Sequence, residues 1–320
     1  MANVAPGAPE VRVRPLGSGK YSDVFLVTWG NKSMAMRVSY YRDDTVNKFV
    51  EHLRRGDESA AVKAKQSDAV AVANAFSRFA RGLANDITPH FVLTYHDADV
   101  KSFVERFPLV TEARSKDLTA YQKRYNNVCF MEAYSCDLTR YLRRCRYDEA
   151  TLRAVIFQVL YTIAATQKAL PGWRHNDLST NNVLIKKLAT PVAAGYSTPV
   201  GKFYVSSPVG VALNDWDFVH VPGHPQLENS RVMGGRYRVD ASPNKSYDVH
   251  FFLKWILRCI AKKPRTQFPE TTEFLKRVGL RAQDRQDTNI APLAPTRVLA
   301  DRYFDGFKSV IPVTDQYGFT

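Results

Sequence analysis

The stretch that decides the fold is His175-Asn176-Asp177-Leu178-Ser179-Thr180-Asn181-Asn182-Val183-Leu184-Ile185. Asp177 and Asn182 stand five residues apart on a predicted loop, and the β-forming residues after them predict a short strand. At this spacing a carboxylate can face an incoming hydroxyl while an amide oxygen faces a metal ion. The stretch therefore predicts a catalytic loop, and a polar surface loop is the alternative.

Two further motifs flank this loop in the sequence. Upstream, GSGKYSDVF (residues 17–25) places two glycines between predicted strands, where backbone N–H groups can approach a phosphate closely. Downstream, VALNDWDF (residues 211–218) is an apolar strand that delivers Asp215 at its end, and such a carboxylate suits Mg²⁺. A hairpin turn would explain the glycines alone, but the three motifs in this order indicate one nucleotide site.

The hydrophobic pattern divides the chain into a β-rich first third and a helix-rich remainder, with a boundary near residues 133–137. Strands are predicted at VRVRPLG (11–17), DVFLVTW (23–29), MAMRVSYY (34–41), HFVLTYHD (90–97) and NVCFMEAY (127–134). Helices are predicted over 43–83 with a break at Gly56-Asp57, and over 137–146, 149–170, 247–261 and 296–307. Residues 173–246 are expected to hold short strands and loops.

Composition excludes several classes of protein. The chain has 320 residues, 45% of them hydrophobic, which is enough for a sizeable core. No apolar run approaches the roughly 20 residues that span a bilayer, and the start lacks an apolar secretory stretch. Four cysteines at spacings that match no usual zinc site predict free thiols. The net charge of +14 is spread along the chain without a basic tail, so neither nucleic acid nor membrane is expected as a partner.

The strings GSGKYSDVF, AMRV, FMEAY, HNDLSTNN, NDWD and YDVHFFL together resemble the ordered motifs of the eukaryotic-type protein kinases, over residues 11–262. The shortened C-terminal region and YDVHFFL resemble the divergent serine/threonine kinases of large DNA viruses. The resemblance implies an α+β, bilobal protein-kinase-like fold. It consists of an N-terminal arm (1–10), a β-rich N-lobe (11–134) and a mainly helical, shortened C-lobe (135–320), with residues 185–211 inserted before Asp215.

The resemblance also implies an ATP site. The implied residues are Gly17, Ser18, Gly19 and Lys20 in the turn over the phosphates, Val24, Ala35 and Leu184 around the adenine, Glu132 and Tyr134 at the hinge, Asp137 at the ribose, and Arg37 at the phosphate clamp. Each of these roles is what the resemblance implies.

The implied chemistry is in-line transfer of the γ-phosphoryl group of ATP to Ser or Thr of a protein substrate. Asp177 would accept or orient the substrate hydroxyl proton, Asn182 and Asp215 would hold Mg²⁺, and Asp248 would brace the catalytic loop. The protein is then expected to be soluble and intracellular, in the cytoplasm or nucleus of a host cell or in the virion, and not secreted.

Position 37 departs most from the family pattern. Arg37 stands where the third strand should carry Lys, and its planar fork is bulkier than an ammonium group. The helix carboxylate that should pair with it is not evident: Asp68 is the first candidate, with Glu58 and Glu51 behind it. Lys20 could supply a replacement ammonium, or it could simply face solvent.

Other departures concern regulation and substrate type. Asn176 replaces the arginine that usually precedes the catalytic Asp, which predicts activity independent of activation-segment phosphorylation. Ser179 stands where serine/threonine kinases carry Lys, which weakens the assignment of substrate type. Asp217 replaces a glycine, which should stiffen the turn after Asp215.

Two groups of arginines are expected to border the substrate groove, or alternatively to form a solvated surface. The groups are Arg140, Arg143, Arg144 and Arg146 on a predicted short helix, and Arg231, Arg236 and Arg238 in the predicted activation segment. Because Arg pairs well with carboxylate and phosphate, the groove would favour acidic protein substrates.

Three functions remain open at this point. The first is an active ATP- and Mg²⁺-dependent protein kinase, motivated by Asp177, Asn182 and Asp215 together. The second is a catalytically impaired pseudokinase that acts as a binding scaffold, motivated by Arg37 and its missing partner. The third is a small-molecule phosphotransferase, because HNDL and NDWD also resemble motifs of aminoglycoside- and choline-kinase-like enzymes.

Overall fold

The computed structural model describes residues 10–107, 109, 118–235, 241–264, 266–280, 293–308 and 316–318. The chain forms two compact units. The first unit comprises Met1–Asn74 and Leu93–Ala133, and the second comprises Ala75–Val92 and Tyr134–Thr320. Residues 75–92, which the sequence prediction placed in the N-lobe, thus group with the second unit. A sheet-based first unit and a second unit that contains the long helix Glu149–Ala169 give the predicted α+β class.

The first unit is built on a five-stranded antiparallel sheet with the strand order β1-β2-β3-β5-β4. The strands are β1 (Val11–Ser18), β2 (Ser22–Trp29), β3 (Lys32–Tyr40), β4 (Thr94–Lys101) and β5 (Tyr125–Met131). Alternate residues of a strand point to opposite faces. Phe25, Val27, Met36 and Val38 therefore share one face, where they form a buried hydrophobic cluster.

Helices connect the strands of the first unit. They are α1 (Asp43–Arg54), α2 (Glu58–Gln66), α4 (Phe103–Arg106) and α5 (Ala120–Arg124), together with the start of α3 (Ala69–Asp86), which continues beyond Asn74 in the second unit. The predicted break between α1 and α2 is confirmed, because Gly56 has a φ of 74° that ends the first helix. Asp57 then begins the second helix by accepting the N–H of Ala60 at 2.9 Å.

In the second unit, the helices are α6 (Leu138–Arg144), α7 (Glu149–Ala169), α8 (Ser230–Met233), α9 (Tyr247–Ile260), α10 (Pro269–Arg277) and α11 (Pro295–Leu299). The long helix α7 is buried on nearly every side. Its buried hydroxyls are satisfied within the helix, since Thr162 donates to the carbonyl of Gln158 and Thr166 to that of Thr162, each at 2.7 Å. The predicted helix over 149–170 is therefore confirmed as a core helix.

A long β-hairpin fills the region where only short strands and loops were expected. Its strands are β7 (Val183–Thr198) and β8 (Gly201–Leu213); β6 (Cys136–Asp137) pairs with the start of β7, and β9 (Gln316–Gly318) pairs with its end. The expectation of short strands was wrong because Pro191 interrupts the β pattern, and a proline inside a run normally ends a strand. Here the pairing shifts register between Lys187 and Val192 and then resumes. The 185–211 insertion is thus part of this hairpin.

His90 ties the hairpin to the chain before β4. Its ring nitrogens lie 3.0 Å from the carbonyl oxygen of Val211 and 3.0 Å from the hydroxyl of Tyr196. The backbone of His90 also accepts the N–H of Leu213, and Val92 donates to the carbonyl of Leu213. This pairing explains why the strand predicted at 90–97 begins only at Thr94, since residues 90–92 bond to β8 instead.

The last predicted helix is interrupted. Residues 296–307 form α11 and a separate 3₁₀ turn (Arg302–Phe307), because the Asp301 side chain accepts the N–H of Tyr303 at 2.8 Å and starts a new turn. All four cysteines are free thiols, as expected. Among the described residues, no helix combines the length and the apolar character that crossing a bilayer requires.

Candidate active site

The predicted catalytic loop (residues 175–182) is anchored by Asp248 in the first turn of α9. Asp248 is fully buried, and its two carboxylate oxygens accept the backbone N–H groups of His175 and Asn176 at 2.8 and 2.9 Å. Burial raises the pKa of the Asp248 carboxyl, and these hydrogen bonds and the proximity of the His175 ring oppose that rise. The predicted bracing of the loop by Asp248 is therefore present.

Asn176 links the loop to the chain that follows β8. Its φ is 65°, a left-handed conformation that Asn adopts more readily than most residues, and its Nδ2 donates to the carbonyl of Phe218 at 2.9 Å. The neighbouring His175 is buried with its Nε2 2.9 Å from the carbonyl of Asn214, and its ring lies 4.9 Å from that of Trp216. Burial lowers the pKa of His175, so it acts as a neutral packing residue.

Asp177 is oriented by Asn182. The Nδ2 of Asn182 donates to the backbone oxygen of Asp177 at 2.7 Å and to its Oδ2 at 3.1 Å. Burial raises the pKa of Asp177 to about 6, and the negative charge of Asp215 acts in the same direction. A carboxylate with a pKa this close to neutrality is well suited to accept a proton.

The β7–β8 hairpin brings Asn182 and Asp215 to the same end of two paired strands. Val183 pairs with Leu213, and the N–H of Asn214 donates to the carbonyl of Asn182 at 2.9 Å. Asp215 has a φ of 68°, which bends the chain sharply where β8 has ended. The register of the hairpin therefore places the backbones of Asn182 and Asp215 near each other, and their joint role as metal ligands stays a prediction.

These side chains fit a divalent cation that takes few protein ligands. The Nδ2 of Asn182 is engaged by Asp177, which leaves its Oδ1 to act as a ligand beside the Asp215 carboxylate. The described residues contain no group of three or more His, Cys, Asp or Glu that could hold a metal ion. Mg²⁺ commonly uses one or two carboxylates and takes water and phosphate oxygens as its other ligands. The donor set thus suits Mg²⁺ bound together with a nucleotide.

Asp137 and Leu184 are directly paired residues of β6 and β7. The Asp137 carboxylate accepts the N–H of Arg140 at 2.7 Å and so caps helix α6. Beside Tyr134, the N–H of Ser135 donates to the carbonyl of Ile185 at 2.8 Å, which ties this segment to the strand that follows the catalytic loop. Asp137 thus has a structural task in addition to the ribose contact that the resemblance implies.

The adenine and clamp residues of the first unit lie on one face of its sheet. Val24 pairs with Arg37, and Ala35, two residues before Arg37, pairs with Leu26. This face is opposite to the one that carries the buried cluster around Phe25. Glu132 follows β5, and its N–H donates to the carbonyl of Leu93 at 2.9 Å.

The predicted phosphate-covering turn is exposed at Gly17, Ser18, Gly19 and Lys20. A Cβ added at Gly17 would meet nothing within 4 Å, and neither Gly17 nor Gly19 has a positive φ. The backbone conformation and the described surroundings of Gly17 therefore do not require a glycine. The absence of a side chain matters instead for a ligand that approaches the turn from solvent. The Lys20 ammonium lies 5.1 Å from the centroid of the Tyr21 ring.

The structure corrects the predicted partner of Arg37. Asp68 forms a buried ion pair with Arg42, with Nη1 and Oδ1 3.3 Å apart, and also accepts the hydroxyl of Thr45 at 2.7 Å. Arg37 Nε donates to the hydroxyl of Ser39 at 3.0 Å. Spacing alone could not distinguish the two arginines, because Arg42 stands only five residues beyond Arg37, just after the end of β3.

Arg42 also contacts the residue that follows the glycine turn. Its guanidinium carbon lies 4.4 Å from the centroid of the Tyr21 ring, within the range of a cation–π contact. Sequence reasoning missed this arrangement of Tyr21, Arg42 and Asp68, and no motif marks it.

The two arginine groups differ in their surroundings. Arg140, Arg143, Arg144 and Arg146 are exposed on α6 and just beyond it. Arg231 is buried in the short helix α8, so it is not part of a solvated surface, and its place at the border of the groove stays a prediction. Arg236 and Arg238 lie outside the described residues.

The chain is similar in sequence to known proteins. Residues 123–281 match the family described as poxvirus serine/threonine protein kinase. A protein of Acanthamoeba polyphaga mimivirus named "putative serine/threonine-protein kinase" is 27% identical over 271 residues, which are 74% of this chain and 56% of that protein. The chain thus spans little more than half the length of this relative.

Among solved structures, a crystal structure of a kinase domain superimposes with a TM-score of 0.38 at 13% identity, covering 68% of this chain and 53% of the other. The match to the poxvirus family instead extends across the predicted catalytic loop, the β7–β8 hairpin and Asp248. In sequence, the chain thus resembles the serine/threonine protein kinases of large DNA viruses.

Proposed function

We propose that the chain is an ATP- and Mg²⁺-dependent kinase that phosphorylates Ser or Thr of protein substrates. The observation that carries the proposal is the state of Asp177. It is oriented by Asn182, its pKa is raised to about 6, and it lies in a loop whose backbone is anchored by Asp248. A polar surface loop without a catalytic role would not need a carboxylate that is oriented by a neighbour, raised in pKa and held on an anchored backbone.

In the proposed reaction, the substrate hydroxyl oxygen forms a bond to the γ-phosphorus, the bond to the bridging oxygen breaks, and ADP leaves. Asp177 accepts the hydroxyl proton, and Asn182 holds the Asp177 carboxylate in place during the transfer. When bound, Mg²⁺ would be held by Asn182 and Asp215 and would neutralise charge on the phosphates.

The nucleotide-binding roles are proposals of the same kind. Gly17 and Gly19 would cover the phosphates with their N–H groups, and Val24, Ala35 and Leu184 would contact the adenine. The position of Val24 and Ala35 on one face of the sheet supports this assignment. The exposure of the glycine turn supports the phosphate contact.

Acidic protein substrates are favoured by the exposed arginines of α6. Arg140, Arg143 and Arg144 present guanidinium groups to solvent, and the chain as a whole carries a net charge of +14. Guanidinium groups pair with carboxylates and phosphates in a bidentate manner. Replacing all three with Gln should therefore raise KM for an acidic substrate peptide more than KM for a neutral one.

The direct test is transfer of labelled phosphate from γ-labelled ATP, with Mg²⁺, to acidic and basic protein substrates. We expect Asp177→Asn to lower kcat by a factor of about 100 or more, because general base catalysis typically contributes that much. Asp44→Asn, which changes an exposed carboxylate on α1, is the matched control and should leave kcat unchanged. Equal turnover by wild type and Asp177→Asn would refute the proposal.

A pseudokinase that acts as a scaffold is the second candidate, because Arg37 replaces the expected Lys. Nucleotide binding without transfer would favour it, and a gain of activity in Arg37→Lys would identify Arg37 as the defect. A small-molecule phosphotransferase is the third candidate. Transfer to an aminoglycoside or to choline, with none to proteins, would favour that function.

A further inference from the structure

The segment that comes after β8 (residues 216–229) is held in place by backbone hydrogen bonds and by burial. The N–H of Val221 donates to the carbonyl of Leu227 at 3.0 Å and closes the segment into a loop. His220 and Arg174 exchange two backbone hydrogen bonds of 3.0 Å, which tie this loop to the residue that precedes the predicted catalytic loop. The buried apolar side chains of the segment are those of Trp216, Val219, Val221 and Leu227.

Asp215, directly before this segment, has a strained backbone. Its φ of 68° is a left-handed conformation that residues with a Cβ adopt at a cost in free energy. Such a conformation persists only where the surrounding structure holds it. The chain turns immediately afterwards, because the N–H of Val219 donates to the carbonyl of Trp216 at 3.0 Å. The contacts that hold this turn therefore also set the direction of the Asp215 carboxylate.

Two buried asparagine side chains bind successive carbonyls of the turn. Asn229 is fully buried, and its Nδ2 donates to the carbonyl of Asp217 at 2.9 Å. Asn176 is 3% exposed, and its Nδ2 donates to the carbonyl of Phe218, also at 2.9 Å. Breaking either bond would leave a buried amide donor unsatisfied, which is unfavourable. These two side chains, called the asparagine clamp below, therefore restrain the turn after Asp215.

Asn229 is itself held in position. Its Oδ1 accepts the N–H of Arg231 at 3.1 Å and caps α8, and its own N–H donates to Nδ1 of His220 at 3.3 Å. The amide thus reaches the Asp217 carbonyl from a fixed backbone. Both members of the asparagine clamp are neutral, whereas docking of a phosphorylated side chain uses a cation such as Arg. The clamp therefore does not depend on a phosphate group.

We propose that Asn229 is a positioning residue for Asp215. Together with Asn176 it fixes the turn after Asp215 in the conformation that binds Mg²⁺, without phosphorylation of the segment. Asn229 acts through the Asp217 carbonyl and not as a metal ligand. Because Asp215 is assigned to Mg²⁺ only by the proposed function, this role of Asn229 rests on that function.

The test is isothermal titration calorimetry of ADP into the full chain at increasing Mg²⁺ concentrations. Asn229→Ser keeps an oxygen that can cap α8 but removes the donor to Asp217. We expect this variant to raise the Mg²⁺ concentration for half-maximal ADP affinity about tenfold, equivalent to about 1.4 kcal/mol, because apparent affinity falls with the population of the restrained turn. ADP affinity without Mg²⁺ should not change. The matched control, Gln226→Ala, removes an exposed amide of the same segment and should change neither value.

Hydrogen exchange without any ligand gives a second measurement. The Val219 N–H should exchange about tenfold faster in Asn229→Ser, while the amides of α7 keep their rates. Equal acceleration throughout the protein would indicate a general loss of stability and would overturn the positioning role. If Asn229→Ser does not fold, Asn229→Asp keeps the size and the cap, removes the donor, and should give the same shifts. Phosphatase treatment of the wild type should leave the half-maximal Mg²⁺ concentration unchanged, and a rise would overturn the independence from phosphorylation.

Phosphoryl transfer distinguishes the positioning role from the proposed function. If the wild type transfers phosphate but neither Asn229 variant shifts the Mg²⁺ requirement, Asn229 is not a positioning residue and the kinase function stands. If the variants shift Mg²⁺-dependent ADP binding but the wild type transfers phosphate to no substrate, the kinase function fails and the positioning role stands. Absence of Mg²⁺-dependent ADP binding in the wild type overturns both.

Discussion

The pH dependence of stability should report on His90, which joins the chain before β4 to the β7–β8 hairpin. His90 is buried, and one ring nitrogen faces the carbonyl of Val211 while the other faces the hydroxyl of Tyr196. Because a carbonyl oxygen only accepts, Nδ1 carries the proton and Nε2 accepts from Tyr196. A second proton on the ring would break the bond from Tyr196 and leave a buried charge.

The size of the effect follows from the pKa of His90. Burial lowers this pKa from 6.5 to about 4. The unfolded chain therefore binds a proton over a range of pH where the folded chain does not, so stability falls as the pH falls. A difference of about 2.5 between the two pKa values, at roughly 1.4 kcal/mol per unit, corresponds to about 3 kcal/mol. This loss begins near pH 6.5 and is complete near pH 4.

The assay is urea unfolding from pH 8 to pH 4.5, followed by tryptophan fluorescence, to which the buried Trp173 and Trp216 of the same unit contribute. The comparison is with His90→Gln, which has no titrating group at this position. At pH 8 we expect the wild type to be more stable, because the variant loses part of the hydrogen bonding and ring packing. As the pH falls the difference should shrink by about 2 to 3 kcal/mol, since only the wild type loses the histidine contribution.

The difference in unfolding free energy between wild type and His90→Gln cancels the contributions of other titrating groups, including the buried His175, because both proteins contain them. A difference between wild type and His90→Gln that stays constant from pH 8 to pH 4.5 would refute the reasoning. A pKa of 6 or above for His90, measured from its side-chain nitrogen resonances in the folded protein, would refute it independently.

Three further predictions concern single contacts. Asp248→Asn places an amide donor against a backbone N–H, so it should lower the free energy of unfolding by about 3 kcal/mol and also lower the rate of phosphoryl transfer. An unchanged rate of transfer would contradict the proposed bracing of the loop. Gly172→Ala should destabilise the protein by more than about 1 kcal/mol, because φ is 84° and a Cβ would lie 2.9 Å from a proline side chain. The control Gly82→Ala, at an exposed position of α3 with open space, should stabilise it by roughly 0.5–1 kcal/mol. Equal effects of the two variants in thermal unfolding would contradict this prediction. Asp68→Asn should cost roughly 3 kcal/mol in urea unfolding because it leaves the buried Arg42 guanidinium without its carboxylate, and wild-type stability would contradict that account.

The sequence was sufficient for those parts of the fold that local patterns determine. The order of motifs singled out the loop that contains Asp177, the proposed metal ligands Asn182 and Asp215, and Asp248, and the structure shows the hydrogen bonds that tie the loop to Asp248. The catalytic and metal roles of these residues stay predictions. Each of these features depends on a short string whose residue types are fixed by one chemical task. The break at Gly56 was likewise predictable, because the positive φ of a glycine and the capping Asp57 are both local properties.

Features decided by long-range packing could not be predicted. Asp68 binds Arg42 and not Arg37, and nothing in the spacing of these residues distinguishes the two pairings. Arg231 is buried although a charged residue in a loop region is normally exposed. The hairpin was missed because Pro191 and the register shift hide a strand pairing that is settled by contacts with α7 and His90.

The 185–211 insertion has a structural role in the candidate site, since the proposed metal ligands Asn182 and Asp215 lie at its base. Asn182 directly precedes β7, and Asp215 stands two residues beyond β8, so the pairing of these strands determines the distance between the two side chains. His90 contacts both halves of the hairpin, through Val211 near the base and Tyr196 near the turn, and its backbone pairs with the last residue of β8. Protonation of His90 would therefore loosen the strand that delivers Asp215, and loss of phosphoryl transfer on acidification should accompany the loss of stability.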